Sequence, residues 1–186
     1  MQSRSRIAPI VLVTTVVLVT GLSIRPASAG DFVCGGIIAA DLNSDVFVPS
    51  GALCVVDANV NGNFRVFGSL ILLDGRRIDG NIDLFDGVLN AQTLSRIKGD
   101  IKANSQVELS GAGVEGNVIF ESPGGLEFSN GETKVWGNLE FKATTNVSGA
   151  VNATIFGNAK CEGKVIDTHV GVIATTGNKE GCPPTF

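Results

Sequence analysis

Four cysteines, a cluster of aspartates, a lone histidine and two spaced aromatic residues are the side chains here whose types and spacing could do chemistry. Cys34 and Cys54 stand 20 residues apart, and Cys161 and Cys182 stand 21 apart. An even cysteine count in an exported chain points to disulfides. Zinc ligation is the rival, but there is no Cys-x-x-Cys pair and His169 is the only histidine. Asp79, Asp83 and Asp86 form the densest acidic cluster, the residue type that carries acid–base work on polysaccharides. Their spacing equally suits outward strand and turn positions, with Arg65 and Lys102 as surface partners. His169 has Asp167 two residues away and no nucleophilic serine nearby, which reads as a surface histidine. Trp136 and Phe156 are 20 residues apart. If both face outward they form an aromatic platform for a sugar ring or a protein partner.

All of these spacings echo one interval. A phrase of the form apolar-x-Gly-Asn-apolar occurs at Val60 to Phe64, Ile78 to Ile82, Ile97 to Ile101, Val114 to Val118, Val135 to Leu139 and Ile155 to Ala159, with Asp100 in place of one Asn. The successive glycines are 18, 19, 17, 21 and 20 residues apart. A period near 20 is the signature of a solenoid. Around each Asn the apolar residues alternate, as in strands facing a core on one side. Phe64, Ile82, Ile101, Val118, Leu139 and Ala159 form one interior column. Val66, Leu84, Ala103, Phe120, Phe141 and Cys161 form a second, and Val60, Ile78, Ile97, Val114, Val135 and Ile155 a third. Runs such as Leu70 to Leu73 and Leu126 to Phe128 supply another side of each coil.

The expected fold is therefore all-β, a right-handed parallel β-solenoid (β-helix) of seven to eight coils with 17–21 residues per coil. The degenerate phrase Leu42 to Val46 and the pair Gly177-Asn178 extend it at each end. Charges in the outward columns alternate in sign: Arg65, Asp83 and Lys102 in one, Asp79, Lys98 and Glu115 in the other. The repeated glycine is expected to supply unusual backbone angles at a corner, and the Asn column a side-chain ladder. Calcium sites are the alternative, but only Asp100 is acidic among the six ladder positions of the repeat. With a coil near 20 residues, each cysteine pair is about one coil apart, within disulfide reach. The pairing Cys34–Cys54 and Cys161–Cys182, one staple at each end, follows.

The chain opens with Arg4 and Arg6, an apolar run from Ile7 to Leu22, and Ala27-Ser28-Ala29 before Gly30. That order is a secretory signal peptide over residues 1–29, leaving 30–186 as a single solenoid domain with no membrane span after cleavage. Removing Arg4, Arg6 and Arg25 from the 14 basic residues leaves 11 against 18 acidic, a net charge of −7. Nucleic acid and anionic membranes are unsuitable partners for that charge. No cofactor, metal or catalytic set is expected. Asn146-Val147-Ser148 and Asn152-Ala153-Thr154 match the glycosylation pattern and read as turn residues.

The repeated coils, the cysteine that follows the Pro49-Ser50-Gly51 turn at Cys54, and the ending Gly177-Asn178-Lys179-Glu180-Gly181-Cys182 resemble a group of uncharacterised secreted bacterial β-solenoid proteins over nearly the whole mature chain. The repeat alone is similar to that of bactofilins, which are polymer-forming cytoskeletal solenoids. The resemblance brings no site residues. The expected function is a non-enzymatic structural or adhesive solenoid, secreted or in the cell envelope. Its partners would be a second copy end to end, or a cell-surface glycan or protein. The alternatives are a glycan- or surface-partner-binding module using Trp136 and Phe156, or a carbohydrate-active enzyme on a β-helix. The C-terminal tail, Val165 to Thr176, is apolar enough to be expected folded back over Trp136 and Phe156, which would remove the binding alternative.

Overall fold

The computed structural model describes residues 30–186; the expected signal peptide lies outside the described residues. The described chain is all β, with no helix and hence none long and apolar enough to cross a membrane. Three parallel sheets wrap one bore. The first wall has nine strands, from Phe32–Val33 through Phe64–Val66 to Lys179–Glu180. The second has eight, from Ile37–Ile38 to Val165–Asp167, and the third six, from Arg77–Ile78 to Ile173–Thr175. Isolated bridges Leu42↔Val60 and Val60↔Ile78 carry the third wall into the first two coils, giving about eight circuits.

The interior columns stack as their alternation demands. Phe64, Ile82, Ile101 and Val118 are direct register partners and are fully buried. Phe120 stacks on Phe141 at 5.6 Å between ring centres. Burial of each such ring is worth about 1.5–3 kcal/mol. The outward charges are also in register, Arg65↔Asp83↔Lys102, but alternation does not make these neighbours the ion pairs. Arg65 instead reaches past a whole coil to Asp31, whose side chain is only 6% exposed. Glu115 takes Arg96 at 2.8 Å from the adjacent column.

The repeated glycine has a different cause from the one expected. None of Gly62, Gly80, Gly99, Gly116, Gly137 and Gly157 has a positive φ. A Cβ at Gly80 would instead sit 2.1 Å from the Gly62 carbonyl oxygen of the previous coil, and one at Gly137 would sit 2.4 Å from that of Gly116. Glycine is required because coils approach there more closely than a side chain allows. Beside it runs the ladder. The side-chain oxygen of Asp45 accepts from the backbone N–H of Asn63 at 2.8 Å, and Asn63, Asn81, Asp100, Asn117, Asn138 and Asn158 each do the same for the next rung, ending at Asn178. These oxygens are spent on backbone donors, which answers the otherwise unpaired corner N–H groups.

Both disulfides form as paired in the sequence, with Cα atoms 5.5 Å apart at Cys34–Cys54 and 4.9 Å apart at Cys161–Cys182. Neither joins strict register partners. The first coil is short, with Phe32 opposite Val46, so Cys34 bonds beside Val48 while Cys54 lies in the second wall; the bond crosses a corner of the bore. At the other end Phe186 closes the interior: it is 1% exposed and meets Phe141 edge-on at 5.7 Å. Thr185 donates to Asp167, fixing that closure to the second wall.

Candidate functional site

The third wall carries two outward columns that change character along the rod. One runs Arg77, Arg96, Gly113, Lys134, Thr154, in direct register. The other, just past the strands, runs Asp79, Lys98, Glu115, Trp136, Phe156. Early coils tie the two with ion pairs, Arg77–Asp79 and Arg96–Glu115, each at 2.8 Å, and Lys98–Asp79 at 3.4 Å lies within the second column. At Gly113 the basic column loses its side chain, and Trp136 of the next coil lies into the gap. A Cβ on Gly113 would come within 2.9 Å of the indole ring.

The result is a shallow depression of about 260 Å³ on the wall. Its floor is Gly113, with Leu94, Arg96, Lys134 and Trp136 around it. Trp136 stacks nearly parallel to Phe156, with interplanar angle 9° and centres 5.9 Å apart, and both rings are about two-fifths exposed. The Arg96 guanidinium lies 5.5 Å over the indole centre, a cation–π contact. Each charge here has a partner: Arg96 with Glu115 at 2.8 Å, and Lys134 with Glu132 at 3.5 Å. Glu132 also accepts from the Thr154 hydroxyl at 2.9 Å.

Two features at the rim work against stability. Leu94 occupies the turn column of Gly75 and Gly111, whose φ values are +70° and +67°, and itself adopts φ +60° with 79% of its surface exposed. A left-handed leucine costs energy that glycine would not, and an apolar side chain gains nothing from solvent. Next to it, Ser95 is 2% exposed and its hydroxyl has no hydrogen-bond partner. Buried hydroxyls ordinarily find one.

The structure thus brings Trp136 and Phe156 together and leaves them uncovered. Val165–Asp167 and Ile173–Thr175 are strands of the second and third walls, continuing the stack instead of folding back over the rings. The aspartates do not converge. Asp79 and Asp83 line different depressions, and the Asp86 carboxylate accepts from its own turn at Gly87 N–H. A ring nitrogen of His169 faces the Val151 carbonyl, and its ring meets Phe128 edge-on. Asn146 lies on a strand, Thr145–Gly149, rather than in a turn, and Asn152 accepts from Val172 N–H at 3.1 Å. Among the described residues no group of three or more His, Cys, Asp or Glu side chains could hold a metal ion.

Sequence reading missed Leu94, Ser95, Arg96 and Gly113. The signal was present in the turn alignment Gly75-Arg76-Arg77, Leu94-Ser95-Arg96, Gly111-Ala112-Gly113, where a leucine stands in a glycine column and a glycine in an arginine column. Elsewhere on the surface, the hydrogen-bonded carboxylate of Glu162 at 2.7 Å holds the Lys160 ammonium above its ordinary pKa, and Lys160 in turn holds Glu162 below its own. That pair is open to solvent and contributes little. No protein family, curated protein or solved structure matches the chain.

Proposed function

We propose that the protein is a non-enzymatic structural or adhesive rod of the extracellular space or cell envelope. The observation that carries this reading is the single closed bore. Fully buried apolar columns run from Val48 to Phe141, with a disulfide near each end and Phe186 plugging the last coil. Most of the distinctive residues serve that stack, and at about 4.8 Å per coil its axis measures roughly 35–40 Å. Two disulfides favour an oxidising compartment, and the acidic chain suits neither nucleic acid nor anionic lipid.

The two ends are unlike as docking surfaces. The C-terminal edge is short, charged at Lys179 and Glu180, and followed by Pro183 and Pro184, which have no N–H to offer. The N-terminal edge exposes Phe32, Val33 and Ile37. End-to-end growth through unpaired edges therefore has to displace the Pro183–Phe186 closure.

Light scattering on oxidised residues 30–186 over a wide concentration range tests the rod. Oligomers or filaments that grow with concentration fit a structural role, and a monomer at every concentration counts against it. Release of new reducing ends from a polysaccharide panel, lost in Asp79→Ala, Asp83→Ala or Asp86→Ala, would replace this reading with an enzymatic one.

A further inference from the structure

We propose that the depression at Gly113 is a binding subsite for a neutral saccharide, with Leu94 and Trp136 as its apolar contacts, Phe156 stacked behind Trp136 as its support, and Arg96 and Glu132 as its polar contacts. The inference goes beyond the rod and does not depend on it.

Four observations converge on this place. Gly113 interrupts a column of long basic side chains, and a depression of about 260 Å³ lies there. Trp136 lines that gap, and Phe156 stacks parallel behind it, each ring about two-fifths exposed. Leu94 is held at the rim in a backbone state that its glycine neighbours in the column adopt without strain, and its side chain is left in water. Ser95 beside it keeps a buried hydroxyl unpartnered. Strain and orphaned polarity retained at an exposed surface motivate a functional reading, because the fold alone would remove both.

The chemistry of the walls selects the ligand. A pyranose presents an apolar C–H face and a rim of hydroxyls. The exposed edge of Trp136 and the Leu94 side chain meet the first, the indole faces being taken by Phe156 and Arg96, while planar guanidinium and carboxylate groups meet the second. The gap is open and small beside the enclosed pockets of drug-sized ligands, which run about 300–1,000 Å³. An open groove accepts one or two rings of a chain that continues along the rod. Arg96 is neutralised by Glu115, and Lys134 by Glu132, so neither a polyanion nor a polycation has an unpaired charge to meet.

The test uses the chain's own reporter. Trp136 is the sole tryptophan and there is no tyrosine, so intrinsic emission reads this site directly. The oxidised full mature chain is titrated with cellohexaose, chitohexaose and hexagalacturonate, with calorimetry alongside. Expected is a saturable emission change with at least one neutral hexasaccharide and none with hexagalacturonate. Phe156→Ala should weaken binding about two- to tenfold, the range of one aromatic contact. Leu94→Gly should also weaken it while raising the unfolding midpoint, since glycine relieves the left-handed position. That opposite movement separates a ligand contact from a packing residue. No response to either neutral hexasaccharide would overturn the proposal, as would binding only to hexagalacturonate, or binding indifferent to Leu94→Gly and Phe156→Ala. Each of those results leaves the scattering outcome for the rod untouched.

Discussion

Two outward aromatic stacks sit on this rod, and only one of them borders a gap. Phe67 and Phe85 stack at 4.5 Å with an interplanar angle of 9°, just past the first wall, with Phe47 packed 5.8 Å from Phe67. Trp136 and Phe156 stack at the same angle and 5.9 Å, ahead of the first wall on later coils. Phe85 and Phe156 are almost equally exposed, at 44% and 42%. Exposure and stacking therefore do not distinguish them. What differs is the neighbouring glycine. Beside Phe67, Gly68 is pressed against backbone, its absent Cβ 2.3 Å from the Ala52 carbonyl oxygen. Gly137 beside Trp136 is pressed likewise, but Gly113 of the preceding coil meets the far end of the indole first, at 2.9 Å, with backbone no nearer than 3.8 Å. Gly68 lets coils close, whereas Gly113 leaves room.

The largest effect should come from filling the first position. Gly68→Ala forces a methyl into two backbone carbonyls, those of Ala52 and Pro49. It should cost about 1–3 kcal/mol by denaturant unfolding, the range for overpacking. Gly113→Ala should change stability by less than about 1 kcal/mol, because the gain of a strand side chain offsets the ring's displacement. It should nevertheless shift Trp136 emission and weaken saccharide binding. Equal stability losses at the two glycines would erase the contrast between a closed and an open position.

The next pair sharpens it. Phe85→Ala and Phe156→Ala each remove one partner of a parallel stack, worth about 0.5–1.5 kcal/mol beyond area burial. Their unfolding midpoints should fall by similar amounts. Only Phe156→Ala should alter emission and hexasaccharide affinity. If Phe85→Ala weakened binding as much, the ligand would run over a different face and the Gly113 gap would lose its role.

Sequence alone carried the fold far because the solenoid writes its core as a period. Phe64, Ile82 and Ile101 share a column by counting from the Asn, and the structure pairs them directly. Counting failed where the coil length changes, as at the short first turn that sets Phe32 opposite Val46. It also gave the wrong reason for Gly80, since coils close enough to put an added Cβ 2.1 Å from the Gly62 carbonyl oxygen are a feature that no local pattern encodes. The Phe186 plug was invisible because it belongs to no repeat. For the site, Trp136 and Phe156 were legible as a column, but the strain at Leu94 and the unpaired Ser95 hydroxyl are three-dimensional facts. They appear only once register places Leu94 among Gly75 and Gly111.

The smallest expected effect concerns charge. Charge changes bear on saccharide selectivity at the second stack, where the Lys134–Glu132 pair lines the depression. Glu132 holds both Lys134 at 3.5 Å and the Thr154 hydroxyl at 2.9 Å. Glu132→Gln keeps the hydroxyl's acceptor and removes the counter-charge. Stability should move by no more than about 0.5 kcal/mol, as for an exposed pair. An unpaired Lys134 should then let hexagalacturonate bind weakly at low salt and release it as salt rises toward 0.15 M, where exposed charges are screened beyond about 8 Å. Neutral hexasaccharide affinity should fall less than about threefold, because the aromatic contacts remain. A variant that binds neither class differently would mean that the paired charges do not set ligand choice, and the preference for uncharged sugars would then rest on Leu94, Trp136 and Phe156 alone.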